Sequence, residues 1–223
     1  MTNEFNVLTT TQIKATQITP EKHETMEFGG YNWLILDKQD GKALLLSENI
    51  LSKRPYHPSN DKTKWESCKL REYLNDEFYN TFNEVDKSRI MLTNVVNTKN
   101  PWYGFSGGND TDDYVFLLSV NEVIKYFGDS GDLAARKGWY WNGKINDFEF
   151  TDGLGQLFID QYSFTRRAKD TNGNPASWWT RSPGRRNGLG ISIEGDFDGN
   201  INIAGTGFTS NSGIRPAMWV TFG

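Results

Sequence analysis

Glu194, Asp196, Asp198 and Gly199 form an acidic alternation resembling the first half of a calcium loop. Oxygen ligands at alternate positions suit a hard cation. The position that should supply a bidentate glutamate is Gly205, however, and no helical pattern flanks the segment. A bulged hairpin explains the same residues without a metal. Asp110, Asp112 and Asp113 offer a second oxygen cluster, although such runs are usually turn and cap residues. Cys68 and His57 could form a thiol nucleophile and its base. Against that, a free cysteine on a helix face commonly behaves as a small buried apolar residue. Arg181 and Arg215 could receive an anion, or serve as scaffold residues bonded to backbone carbonyls. Trp139, Tyr140 and Trp141 could stack on sugar rings, or pack beneath the segment from Gly128 to Phe150. In each case the structural reading is favoured, and neither a catalytic residue, a metal nor a cofactor is assigned.

Bulk properties narrow the partners. The chain has 223 residues, enough for one domain with a sizeable core. Net charge is -4 and no long basic run occurs, which argues against a nucleic-acid partner. A single cysteine excludes an internal disulfide and any cysteine-rich zinc site, and only 2 histidines are present. The N-terminus lacks a basic region followed by an apolar stretch, so no conventional secretion signal is read. Apolar runs such as Ala43 to Leu46 are far too short to span a membrane, so no membrane insertion is expected. The chain reads as soluble, and a place on a cell surface or virion would need another route.

The elements that hold these residues follow from patterning. Residues 1–27 read as an N-terminal arm, and 28–223 as one domain. Tyr31 to Leu36 and Ala43 to Ser47 flank the turn residues Asp37 to Gly41, as a β-hairpin would. Trp65, Cys68, Leu74, Phe78 and Phe82 are spaced to share one helical face. Asn83 can cap a short helix, and Ser119-Val120-Asn121-Glu122 is a capping box opening a helix through Phe127. Asn97 to Asp113 reads as a loop, Tyr114 to Leu118 as a buried strand, and Leu154 to Arg167 as holding a helix. From Trp178 onward the chain is β in character. Mixed elements without a βαβ rhythm give an α+β class with a mainly antiparallel sheet.

Parity selects the register of the last hairpin. A two-residue turn at Asp198-Gly199 would mix charge with isoleucine on each face. A three-residue loop with a left-handed Gly199 pairs Asp196 with Asn200, Glu194 with Asn202 and Ile193 with Ile203. Ile191, Ile193, Ile201 and Ile203 then share the inner face, and Ser192, Glu194, Asp196, Asn200, Asn202 and Ala204 the outer one. The outer face, with Arg185 to Gly188 before it and Thr206 to Ser212 after it, has the small polar composition of an adaptable binding surface.

Several segments resemble a bacterial and phage family of domains of unknown function. They are Tyr31 to Asp37, Ala43 to Ser47, Trp65 to Asn75, Trp178 to Gly184 and Gly213 to Trp219, within a match from about Phe28 to Phe222. The ending is also similar to the variable proteins of diversity-generating retroelements, which have a C-type lectin-like fold of the formylglycine-generating-enzyme branch. Ile214 stands where that motif commonly has Phe or Val. The lone Cys68 does not supply the cysteine pair that a formylglycine-generating activity needs. The resemblance implies a non-catalytic display protein, a receptor or adhesin with a protein or glycan ligand. Its display region would span about 182–213, with ligand-binding positions Arg185, Arg186, Asn187, Ser192, Glu194, Asn200, Asn202, Thr206, Phe208, Ser210, Asn211 and Ser212. Arg185, Arg186 and Phe208 would be its anchors. Trp178, Trp179, Arg181, Pro183, Arg215, Pro216 and Trp219 would be framework. A calcium-assisted lectin-like module using Trp139 and Trp141 is the alternative.

Overall fold

Asp40 and Gly41 both take positive φ, 48° and 75°. That pair closes a tight turn whose twist matches its flanking strands. A computed structural model of the chain describes residues 23–131, 157–195 and 199–222. In it the strand β1 (Thr25–Phe28) pairs with β2 (Tyr31–Gln39), which runs through the turn into β3 (Lys42–Ser47). The hairpin is as expected but longer, and the final residues assigned to the N-terminal arm contribute to it. After β4 (Ser52–Arg54), the segment expected as one helix is broken into four pieces. A 3-10 turn (Trp65–Ser67) precedes α1 (Lys69–Tyr73), a π turn (Leu74–Phe78) and another 3-10 turn (Tyr79–Thr81). Trp65, Cys68, Leu74, Phe78 and Phe82 are all buried, as their spacing predicts. Cys68 is not within a helix; it is the cap of α1, its sulfur accepting from the Arg71 amide.

Asn83 caps α2 (Glu84–Arg89) through the Asp86 amide, as expected. Within the segment read as loop, β6 (Thr111–Asp113) pairs with β5 (Thr93–Val95). Residues 115–118 are buried, yet only Phe116 forms a bridge, with Ala217. Burial alone produced the apolar run there, so the strand expectation is corrected. Ser119 opens α3 (Val120–Phe127) with a reciprocal capping box, Glu122 accepting from the Ser119 amide at 2.6 Å. In place of the helix expected before Arg167, β7 (Leu157–Phe158) leads to a 3-10 helix (Ser163–Arg166). Arg166 and Asp160 there form a buried pair, their nitrogens and oxygens 2.7 and 2.9 Å apart, which ties the 3-10 helix to the segment before it.

The C-terminal third is β8 (Trp178–Pro183), β9 (Leu189–Glu194), β10 (Asn200–Gly207), β11 (Ser212–Ile214) and β12 (Ala217–Thr221). One sheet runs β1-β2-β3-β12, and the other β4-β11-β8-β9-β10-β7. All pairings are antiparallel except β11 with β8, so the class is α+β with mainly antiparallel sheets. The chain crosses from one sheet to the other at Arg215 and Pro216. Arg215 is buried there between the Trp178 and Phe127 rings, 4.8 and 5.8 Å away. Its Nε donates to the Ser47 carbonyl and its Nη2 to that of Glu48. Burial lowers the guanidinium to about 9, which still leaves it charged at neutral pH.

The β9–β10 hairpin differs in register from the expectation. Glu194 pairs with Asn200, Ile193 with Ile201 and Ser192 with Asn202. The connection therefore spans 195–199 rather than 197–199. A shift of two residues leaves every side chain on its expected face, so burial could not choose between the two. Ile191, Ile193, Ile201 and Ile203 are indeed fully inside. Contacts of the two glycines choose the register. Gly195 lies against the Ala176 backbone and Gly199 against the Ser163 carbonyl, closer than any side chain would permit. Gly199 is left-handed, at φ 84°, as predicted.

Candidate functional site

The outer hairpin face is less open than its composition suggests. Ser192, Asn200, Ala204, Phe208 and Ser212 are buried. Glu194, Asn202, Thr206, Ser210 and Arg185 are partly covered, and Arg186, Asn187 and Asn211 are exposed. The expectation of a uniformly outward set is corrected for the buried positions. Phe208 stacks on Tyr56 with ring centroids 4.6 Å apart, and Tyr56 meets Trp179 at 5.6 Å. An aromatic ring in a polar, Gly-rich stretch thus serves the core rather than the surface. Ser212 lies in β11 between β4 and β8, where it faces Arg54 across the ladder.

The structure divides the remaining positions between two places. At one end of the second sheet, three loops are joined. The Tyr56 amide donates to the Phe208 carbonyl at 2.8 Å, and the Phe208 amide to the Gly188 carbonyl at 2.9 Å. The Thr209 amide donates to Asn60 Oδ1 at 3.3 Å, and the Asn60 carbonyl sits against Gly188. Asn60, Asp61, Lys62, Arg186, Asn187, Thr209 and Asn211 are exposed along this rim. Hydrogen bonds from Ser59 and Thr63 hold the Asp61 carboxyl below its ordinary range. Sequence reasoning missed the whole of the Ser59-to-Lys62 contribution. Its only signal was a turn-forming cluster, Pro58-Ser59-Asn60-Asp61, more than a hundred residues from the segments it joins.

The second place is a polar patch on the sheet face. Ser192 Oγ donates to Glu194 Oε1 at 2.5 Å and lies 2.7 Å from Thr206 Oγ1. Asn202 Nδ2 donates to Thr206 Oγ1 at 3.2 Å. Ser177 Oγ donates to Glu194 Oε2 at 3.0 Å and accepts from the Gly195 amide at 3.0 Å. Ser177 was not among the expected residues, because it lies before β8 and comes near Glu194 only through the β8–β9 pairing.

The other candidate chemistries resolve as follows. Burial pushes the Cys68 thiol up to about 12, so it is a neutral packing group at physiological pH. His57 Nδ1 accepts from the Lys69 amide at 3.4 Å, and its Nε2 lies 3.6 Å from Asp61. The three loop aspartates diverge: Asp110 accepts from the Asn97 amide, Asp112 from Asn94, and Asp113 from Trp65, Thr111 and Arg71. Among the described residues no group of three or more His, Cys, Asp or Glu side chains converges as a metal site would. Arg181 donates to the carbonyls of Leu117 and Val96 and pairs with Glu122 at 2.5 Å, in the manner of a scaffold residue. Trp139, Tyr140, Trp141, Asp196 and Asp198 lie outside the described residues.

No helix among the described residues is long and apolar enough to cross a membrane. No curated protein and no solved structure matches the chain. A family model for a domain of unknown function, DUF6273, matches residues 40–222, from the first hairpin turn to the end of the last strand. With that much of its length matched, the chain belongs to the DUF6273 family.

Proposed function

We propose that the protein is a non-catalytic ligand-binding module whose contact surface is the rim built by loops 57–62, 185–188 and 209–211. The observation that carries this reading is their mutual tethering around Phe208 and Asn60. Three polar loops are fixed to one another and to an aromatic core, yet Arg186, Asn187, Asn60 and Asn211 remain open to solvent. Such a rim is preorganised, so little ordering entropy opposes binding. Arginine supplies an anchor, and asparagine and serine supply adaptable hydrogen bonds. The resemblance to C-type lectin-like variable proteins supports a finer form of the reading: a receptor or adhesin whose rim is varied by a retroelement.

Sequencing the same locus from sister isolates tests that finer form. Substitutions should concentrate at Arg185, Arg186, Asn187, Ser210 and Asn211. They should spare Ser192, Phe208 and Ser212, which the fold needs. Variation spread evenly along the chain would remove diversification from the proposal. The coarser binding reading is tested by alanine substitution at Arg186, Asn187 and Asn211 together. Loss of host-surface or cell binding with an unchanged melting temperature supports it, and unchanged binding overturns it.

A further inference from the structure

The patch around Glu194 has a direction. Asn202 donates to Thr206, and Ser192 spends its only proton on Glu194, so the Thr206 proton is directed to Ser192 Oγ and Glu194 Oε1, 2.7 and 3.5 Å away. On the other side the Gly195 amide donates to Ser177, which donates to Glu194. Asn202 Oδ1 is taken by the Gly205 amide at 3.0 Å. Both relays therefore end on one carboxylate, and every hydroxyl proton in the patch points towards it. Successive bonds of this kind polarise one another and concentrate acceptor character at Glu194.

Glu194 is partly buried, and it has no ion pair among the described residues. Directly across the ladder from it is Asn200, so the two side chains share a face. Asn200 is 6% exposed, and its Oδ1 is a buried acceptor with no partner. A buried acceptor left unbonded is costly, and native structures seldom retain one without use.

We propose that Glu194 and Asn200 form a subsite for a primary ammonium group. The unmet valences are both acceptors, so the ligand must donate. Among the described residues the Glu194 carboxylate has no ion-pair partner, so a cation is favoured over a neutral sugar hydroxyl. Ser192 and Ser177 each already occupy one acceptor position on a Glu194 oxygen, so a compact donor fits what remains better than a planar guanidinium fork. A compact tetrahedral ammonium can donate to Glu194 and to Asn200 Oδ1 in different directions. The source is a lysine side chain or a free amine. This subsite is separate from the loop rim and does not depend on it.

The test is an amide-resonance titration of the full chain with methylammonium, with an N-acetyl-lysine amide, and with tetramethylammonium and glucose as controls. The two amines should give saturable shifts at Gly195, Gly205 and the Asn200 side-chain amide. Preference for the lysine derivative would identify a protein partner, and preference for methylammonium a free amine. Tetramethylammonium, which cannot donate, and glucose should give none. Glu194→Gln should weaken amine binding roughly tenfold or more, the scale of a lost charged hydrogen bond. Asn200→Ala removes no side-chain hydrogen bond among the described residues and should weaken it while the fold is kept. No saturable shift with either amine, an equal response to tetramethylammonium or glucose, or undiminished binding in both variants would overturn the assignment. A rim variant such as Arg186→Ala should leave these shifts unchanged, so failure of one site is distinguishable from failure of the other.

Discussion

Arg71 Nε meets Asp113 Oδ1 at 2.6 Å, joining the first turn of α1 to the end of β6. Asp113 is fully buried, and its other oxygen accepts from Trp65 Nε1 at 2.9 Å and Thr111 Oγ1 at 2.8 Å. Asn75 completes the junction, accepting from the amides of Tyr114 and Val115 and donating to the Val115 carbonyl. The run Trp65 to Asn75 is therefore held by one carboxylate. Asp113→Ala should cost about 2–4 kcal/mol, because it strands two buried donors, Trp65 Nε1 and Thr111 Oγ1, and unpairs the partly exposed Arg71. Urea unfolding measures it, and a loss below about 1 kcal/mol would show that the junction is dispensable.

Phe208 and Arg186 separate scaffold from surface. Phe208→Ala removes a ring stacked on Tyr56 and should cost about 3–5 kcal/mol. Arg186→Ala should change stability by no more than about 0.5 kcal/mol. Thermal melts of the two variants check both values. Equal effects would contradict the burial pattern of the segment.

Cys68 sets a pH dependence. Its folded thiol is raised to about 12 by burial, above its ordinary value of 9.0. The native state thus holds a proton that the unfolded chain releases. Its contribution is complete below about pH 9 and is lost as pH rises towards about 12, amounting to about 2 kcal/mol by pH 10.5. The stability difference between the parent chain and Cys68→Ala should shrink by that amount between pH 8 and 10.5. In addition, iodoacetamide at pH 8 should label the native thiol only as fast as the chain opens.

Gly199→Ala tests the close approach of the hairpin turn to Ser163. A side chain there meets the Ser163 carbonyl, and the left-handed backbone adds strain. The substitution should cost about 1–3 kcal/mol or more. Ser163→Gly leaves its carbonyl in place and should not rescue the stability. Rescue would mean that the clash lies with the side chain instead.

Much of the framework is legible in the sequence because it rests on local chemistry. The Asp40-Gly41 turn, the Asn83 cap and the Ser119–Glu122 box each follow from residues within a few positions. Side-chain parity likewise placed four isoleucines inside. What parity cannot read is a shift of two, and that is where the hairpin reading failed. Long-range partners are equally silent: nothing near Ser192 announces Ser177, and nothing near Gly188 announces Asn60. Composition misled at Phe208 and Asn200, since polar neighbours made buried positions look open. The break of the first helix at Cys68 was hidden too, because a 3-10 turn, an α turn and a π turn in series bury nearly the same residues as one helix.

The pairing of β12 with β3 has a consequence for synthesis. Ala217 lies beside Leu46, and Thr221 beside Lys42. The edge of β3 is therefore completed only by residues made some 170 positions later. At ordinary translation speeds the first hairpin waits about 10–30 s for its last neighbour. During that interval Ala43 to Leu46 present an unpaired apolar edge, the kind of template on which nascent chains associate. A chain stopped before Ala217 would leave that edge open permanently. The final strand thus acts as a cap on aggregation as well as a member of the sheet.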